Sequence, residues 1–231
     1  LIPNKTFIDG MHKAQIDAAI AFEDMDTNMF ILEWHRRARK TTFWINMLIR
    51  ECCRIPNGKY VYIAPTQVMA RNIVWDDPFM LQTALPDKSE MGYTLNSQKM
   101  LVNFNNGSML KIAGSDKPDS LRGIDAIGVV CDEWALCKQS TWTEIFMPII
   151  AGKLRPEHAS LTRRWAGFCY TPKGENHATE MFNKACCLAS GGTLPSTGKG
   201  TKLKSGWFAS RLDAEVSGII PPKSLLEARA N

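Results

Sequence analysis

The sequence predicts an α/β fold with a mainly parallel central β-sheet flanked by helices on both faces. Three observations predict it. Short apolar runs of strand length alternate with longer helical stretches, the pattern left by crossover connections between parallel strands. Four of those runs end on polar or charged residues, and open parallel sheets place their ligands at strand ends of this kind. A hydrophobic content of 45% in 231 residues is enough to bury one full core.

Taken in order, the first clear strand is MFILEW, Met29 to Trp34, and after a basic loop a helix runs from about Thr41 to Arg54, rich in Phe, Trp, Ile, Met and Leu. KYVYIAPT gives a second strand ending at Ala64, with Pro65 and Thr66 as a turn and helix start. LVNFNNGSMLKIAG reads as a β-hairpin, because Asn106-Gly107 supplies the positive φ angles of a tight turn; its expected place is an insertion or a sheet edge. IGVVCDEWA is a buried strand ending in two acids, and RRWAGFCYTPKGENH is another that ends in a Thr-Pro-Lys-Gly turn. The Gly, Ser, Thr and Lys rich text from Ala189 to Ser205 reads as a mobile loop within the domain, since WFASRLD resumes strand character after it. IPPKSLLEARAN begins a short helix after Pro221-Pro222 and stops, as a domain cut from a longer polypeptide would. There is no internal repeat.

Charge and cysteine content narrow the function classes. A net charge of +5 permits a polyanionic partner without demanding one, so the placement of the cations matters more than their sum. No apolar run approaches the roughly 18 residues of a membrane span, and LIPNKTFIDG lacks the apolar core of a signal peptide, so a cytosolic protein without membrane attachment is expected. The seven cysteines contain no CxxC and read as buried thiols, with neither zinc spacing nor a disulfide framework. His12, His35 and His158 suggest no metal cluster.

The basic loop HRRARKT ends in Lys40 and Thr41, the last two places of a phosphate-binding P-loop, G-x-x-x-x-G-K-[ST]; Trp34 and Arg39 stand where its glycines would. Alone, the match reads as readily as a basic surface turn. A helix N-terminus carries roughly half a positive charge and disfavours neighbouring cations. Arg36, Arg37, Arg39 and Lys40 crowd that end, which points to a bound anion such as a triphosphate. The candidate nucleotide loop is therefore His35, Arg36, Arg37, Ala38, Arg39, Lys40, Thr41 and Thr42. Arg39 in a glycine position is expected to carry left-handed strain and to alter the loop's path. The acidic strand supplies the complement: Asp132 as metal-side carboxylate together with Thr41, and Glu133 as general base for an attacking water.

With these pieces in order, the chain resembles the ATPase domain of large terminase subunits, the DNA-packaging motors of tailed bacteriophages. HRRARKT looks like the arginine-rich phosphate loop of that family, and YIAPTQVMARNIVW is similar to its strand and Ala-Pro-Thr helix start. Ser120-Leu121-Arg122-Gly123 resembles its Leu-Arg-Gly element, CDEWA its acidic strand, and TPKGENHATEMF its coupling motif. The resemblance implies a P-loop NTPase fold of the ASCE type and residues 1–231 as a single motor domain without the family's C-terminal nuclease domain. It implies an ATPase using ATP and Mg2+ that drives double-stranded DNA into a procapsid. Lys40 would neutralise phosphates, Thr41 and Asp132 would hold magnesium, and Glu133 would activate water. Arg122 would be an arginine finger inserted into a neighbouring subunit's site, with Arg36, Arg37 or Arg39 as alternatives from within the subunit. Thr171, Asn176 and His177 would couple nucleotide state to motion.

Implied partners are double-stranded DNA, the small terminase subunit and the portal protein, with a homo-oligomeric ring when assembled, in the cytoplasm of the infected bacterial host. Possible DNA-contacting cations are those of KLRPEH, Arg163-Arg164, and Lys199, Lys202 and Lys204. Phe22 or Phe30 could stack on adenine, although core packing suits both. A helicase shares the Asp-Glu strand, and a non-hydrolysing nucleotide- or DNA-binding module is the reading from a different class; the retained Glu133 argues against the latter.

Overall fold

The computed structural model describes residues 3–190, 198, 200–202, 206–221 and 223–225. Its centre is a nine-stranded sheet in the order β3-β4-β5-β2-β6-β7-β1-β9-β8. The strands are β1 (Met29–Trp34), β2 (Lys59–Ala64), β3 (Tyr93–Asn96), β4 (Leu101–Phe104), β5 (Met109–Gly114), β6 (Gly128–Asp132), β7 (Trp165–Tyr170), β8 (Gly200–Lys202) and β9 (Trp207–Leu212). The six strands β5, β2, β6, β7, β1 and β9 run parallel, and β3, β4 and β8 add antiparallel margins.

In chain order the α-helices are α1 (Lys5–Asp9), α2 (Lys13–Glu23), α3 (Lys40–Arg54), α4 (Gln67–Ala70), α5 (Leu81–Ala84), α6 (Met147–Ile150), α7 (Pro156–Ala159), α8 (His177–Ser190) and α9 (Ala214–Ser217). Two π-helical segments, Arg71–Trp75 and Thr141–Phe146, join on to α4 and α6. Strands buried on both faces need a cover on each, and two separate apolar clusters provide it. One gathers Phe22, Phe43, Trp44, Leu48 and Trp165 between the sheet and the helices α2 and α3. The other gathers Trp134, Trp142, Phe146, Phe168 and Phe182 beneath the Thr141–Phe146 segment and α8. No described helix is long and apolar enough to cross a membrane.

The hairpin forms as expected, but its place differs. Phe104 and Ser108 close a three-residue loop in which Gly107 alone takes a positive φ, 82°, so Asn106 does not share the left-handed geometry. The strand after that loop, β5, pairs in parallel with β2 over six residues and is an integral strand of the main sheet. The inserted edge is β3 and β4. Helix α3 starts at Lys40, one residue before the expected Thr41. A glycine in β7 shows why this strand accepts no side chain at that point: a Cβ on Gly167 would lie 2.6 Å from the Trp44 ring, which stacks against Trp165. Most of the Ala189 to Ser205 stretch and the end of IPPKSLLEARAN lie outside the described residues, although β8 falls inside the stretch.

Packing decides several of the single-residue alternatives. Arg163 lies across the Phe22 ring, 5.0 Å from its centroid, and donates to the carbonyls of Thr27 and Phe22. Arg164 is buried and donates to the carbonyls of Ala126 and Lys153 and, at 2.7 Å, to Asp125. Arginines held this way fasten loops to the core. Arg155 of KLRPEH also pairs with Asp125, at 3.0 Å. Lys199 and Lys204 lie outside the described residues, and Lys202 is in β8. Phe22 and Phe30 are core residues stacked on each other at 5.3 Å. The six cysteines that can be described are free thiols.

Candidate nucleotide site

Four adjacent strands, β2, β6, β7 and β1, all run parallel and end on one edge of the sheet, so their last residues meet. Between β1 and α3 lies the loop of residues 35–39, whose sharp path uses left-handed backbone at Arg37 (φ 71°) and Arg39 (φ 54°). The residue in the second glycine position thus adopts a glycine-like conformation itself, at a cost of about 1–2 kcal/mol per non-glycine residue. Such strain persists only where the surroundings over-determine it.

Lys40, the first residue of α3, is buried, and its ammonium faces back into the loop. It donates to the carbonyls of Trp34 (3.1 Å) and His35 (3.3 Å) and to Thr171 Oγ1 (2.9 Å), and lies 3.6 Å from Glu133 Oε1. Glu133 follows β6 with left-handed backbone, φ 46°, and its carboxylate accepts from both the backbone N–H and the hydroxyl of Thr171, each at 3.2 Å. Thr41 Oγ1 donates to Asp132 Oδ2 at 2.5 Å. Lys40, Thr41, Asp132, Glu133 and Thr171, drawn from three separate stretches of sequence, therefore form one hydrogen-bonded cluster.

The Asp132 carboxylate is fully engaged. Besides Thr41, Oδ2 accepts from the Tyr62 hydroxyl at 2.6 Å, while Oδ1 accepts from the Glu133 N–H at 2.9 Å and the Cys169 thiol at 3.0 Å. Sequence reasoning missed Tyr62 and Cys169. Register could have found Cys169, which lies directly opposite Asp132 across the β6–β7 pairing. Burial, and then the charge of Asp132, push the Tyr62 and Cys169 groups well above their ordinary pKa values, so both remain protonated donors.

The remaining loop residues divide. Ala38 is buried; Arg36 and Arg37 are exposed, and Arg36 lines a cleft of about 440 Å³ with Glu133, Thr171, Lys173 and Met69. The Arg39 guanidinium turns away to the Gly10 carbonyl, at 3.4 Å, so Arg36 is the loop arginine placed beside the carboxylate. The carbonyl of Thr42 accepts from Asn46 within the helix. His35 is buried, its Nδ1 contacts the Arg36 carbonyl at 2.5 Å, and burial holds its pKa below the usual value, so it adds no charge to the loop. A larger, more apolar cleft of about 530 Å³ between α8, the Thr141–Phe146 segment and β9 contains none of the cluster's carboxylates. Glu133 and Thr171 of the cluster open into the smaller one.

Outside the cluster, Arg122 is exposed and pairs with Asp119 at 2.8 Å and Glu144 at 4.0 Å, so it does not join the cluster. Asn176 makes local bonds: its Oδ1 accepts from the N–H of Ala178 at the start of α8, and its amide donates to Lys173 and Gly174 carbonyls. His177 contacts the Trp134 carbonyl at 2.7 Å and packs edge-on against the Trp134 ring, one residue past Glu133.

The donor set fits magnesium. A hydroxyl at a helix start beside one carboxylate offers hard oxygens, and Mg2+ commonly takes one or two such groups plus substrate phosphates. The described residues contain no cluster of three or more His, Cys, Asp or Glu side chains, which a dedicated protein-only metal cage would need.

No protein-family model and no curated protein matches the chain. Solved structures do match its fold. It is similar to the large terminase ATPase domain of Thermus phage P74-26, with a TM-score of 0.71 and 19% identity over 100% of this chain and 93% of that one. It is similar also to the large terminase of a thermophilic bacteriophage solved with ADP, with a TM-score of 0.66 and 14% identity over 94% of this chain and 49% of that one. The same protein solved with ATP-gamma-S gives 0.64 over 95% and 49%. The chain thus spans about half the length of that second terminase. Its α/β architecture, a mainly parallel sheet covered on both faces, is similar in fold to these large terminase ATPase domains.

Proposed function

We propose that the chain is an ATP-hydrolysing motor domain that moves double-stranded DNA into a viral procapsid. The observation that carries this reading is the single cluster of Lys40, Thr41, Asp132, Glu133 and Thr171 at the strand ends. Nucleotide phosphates would lie over the N-terminus of α3, whose unpartnered N–H groups and Lys40 supply positive charge. Lys40 exchanges its contact with Glu133 for the γ-phosphate, which frees the Glu133 carboxylate to take a proton from the attacking water. Thr41 and Asp132 would hold Mg2+, which supplies neutralisation of the charge developing on the phosphates.

Thr171, bonded to both Lys40 and Glu133, is the group best placed to register whether a γ-phosphate is present; His177 and Asn176, at the start of α8, then carry the change onward. Arg122, exposed and outside its own site, serves a neighbouring subunit in a homo-oligomeric ring, and Arg36 stabilises charge from within. The further assignments rest on the same analogy: a nuclease domain elsewhere in a longer polypeptide, partnership with a small terminase subunit and a portal protein, and action in the cytoplasm of an infected bacterium.

The test is ATP hydrolysis by wild type, Glu133→Gln and Arg122→Ala, with and without double-stranded DNA, across protein concentration and with and without Mg2+. Glu133→Gln is expected to keep nucleotide binding and to lose at least about a hundredfold in turnover, the scale of a general base. Arg122→Ala is expected to remove the concentration-dependent part. Wild type that hydrolyses nothing under any of these conditions overturns the enzyme reading.

A further inference from the structure

We propose that His12 and Gln15 form an external brace for the phosphate loop, replacing with side-chain hydrogen bonds the conformational latitude that glycines would give. The proposal rests on the reading of that loop as a nucleotide site. His12 Nε2 lies 3.0 Å from the Ala38 carbonyl, and Gln15 Nε2 donates to the Arg39 carbonyl at 3.2 Å. Because a carbonyl can only accept, Nε2 of His12 carries the proton. The two braces also fix each other, since Gln15 Oε1 accepts from the His12 N–H at 3.1 Å. The His12 ring packs edge-on against Trp34 at 5.4 Å, and Trp34 is tied in turn to Ser210 at 2.9 Å. Gln15 is completely buried, so its amide is committed to these bonds.

The consequence is directional. A trans peptide unit points its N–H opposite to its C=O. Drawing the carbonyls of Ala38 and Arg39 toward α2 therefore aims the N–H groups of Arg39 and Lys40 away from it, out of the start of α3, where a phosphate would receive them. The brace acts on the two peptides that flank Arg39, one of the loop's left-handed arginines. Burial lowers the pKa of His12, and the braced ring adds no further cation beside Arg39. His12 and Gln15 are thus positioning residues, acting through the loop backbone.

The experiment compares His12→Phe, which keeps a ring against Trp34 and deletes the donor, in the wild-type chain and on an Arg39→Gly background. Without nucleotide, hydrogen exchange of the amides of residues 36–41 is expected to speed up in His12→Phe. Affinity for ATP-gamma-S is expected to fall about tenfold, equivalent to about 1.4 kcal/mol. On the Arg39→Gly background the same change is expected to cost less than about twofold, because glycine adopts the left-handed conformation without bracing. Equal losses in both backgrounds, or unchanged exchange and affinity in wild type, overturn the brace. If wild type binds no nucleotide but His12→Phe still accelerates exchange only where Arg39 is present, the brace stands and the nucleotide reading falls. Should His12→Phe unfold, Gln15→Met, which deletes the other donor, is put through the same comparison with the same deciding outcomes.

Discussion

Replacing Tyr62 by phenylalanine removes one oxygen from the interior and leaves the ring in place. That oxygen lies 2.6 Å from Asp132 Oδ2 and is fully buried. A hydrogen bond to a charged group contributes about 1.5–3 kcal/mol, and Asp132 keeps Thr41, Cys169 and the Glu133 N–H, so the lower half of that range is expected. For a domain of this size each kcal/mol moves Tm by about 2–4 °C, which gives a fall of roughly 3–8 °C in Tyr62→Phe. The assay is calorimetric or urea unfolding of a double-mutant cycle with Asp132→Asn, which separates the pairwise contribution from loss of packing. A coupling of about 1 kcal/mol or more is expected. Coupling under about 0.5 kcal/mol, or a Tm change under about 1 °C, would refute the claim that Tyr62 holds the Asp132 carboxylate.

Gly167→Ala should cost about 1–3 kcal/mol in urea unfolding, because its Cβ would collide with the Trp44 ring at 2.6 Å. Arg164→Met should destabilise by about 1–3 kcal/mol, since it leaves the carbonyls of Ala126 and Lys153 without their donor and Asp125 with Arg155 alone, whereas Lys153→Ala on the exposed surface should leave Tm within about 1 °C. His35 contributes a pH dependence whose sign follows from its environment. Burial lowers its folded pKa below 6.5, so the unfolded chain binds the proton more readily and stability is lost as pH falls through 6.5 toward the folded value. Thermal unfolding across about pH 5–7 should show that slope, and His35→Gln should flatten it.

Much of the site was legible in the sequence because it is built from strand ends. Lys40-Thr41, Asp132-Glu133 and Thr171 each come after or at the end of an apolar run that became β1, β6 or β7, the first with the expected limits and β6 ending at Asp132, one acid short of the expected end, and adjacency in a parallel sheet brings such ends together. What escaped depends on which strand lies beside which. Tyr62 alternates in β2 like any core residue, and only the placement of β2 next to β6 brings its hydroxyl to Asp132. The hairpin was evident from Asn106-Gly107, but nothing local says that β5 pairs with β2. Arg163-Arg164 carry the composition of a binding patch, and only their partners, supplied by Thr27, Phe22, Ala126, Lys153 and Asp125, identify them as fasteners. His12 and Gln15 precede the loop they touch by 26 and 24 residues, too far for any pattern of spacing to register.

The position of β1 sets the order in which this protein can fold. Its two neighbours in the sheet are β7 and β9, so the residue pairs that flank the loop of residues 35–39 join Glu33 to Tyr170 and Arg211, 137 and 178 residues away along the chain. Pairings over such distances close large loops and form slowly. On a ribosome adding about 5–20 residues per second, the strand that launches that loop waits on the order of 10–40 seconds before its last partner is even synthesised. Until then the side of β1 that β9 will cover is an open apolar edge in need of protection, and under the proposed function recovery of nucleotide binding should be among the last signals to appear when the chain refolds.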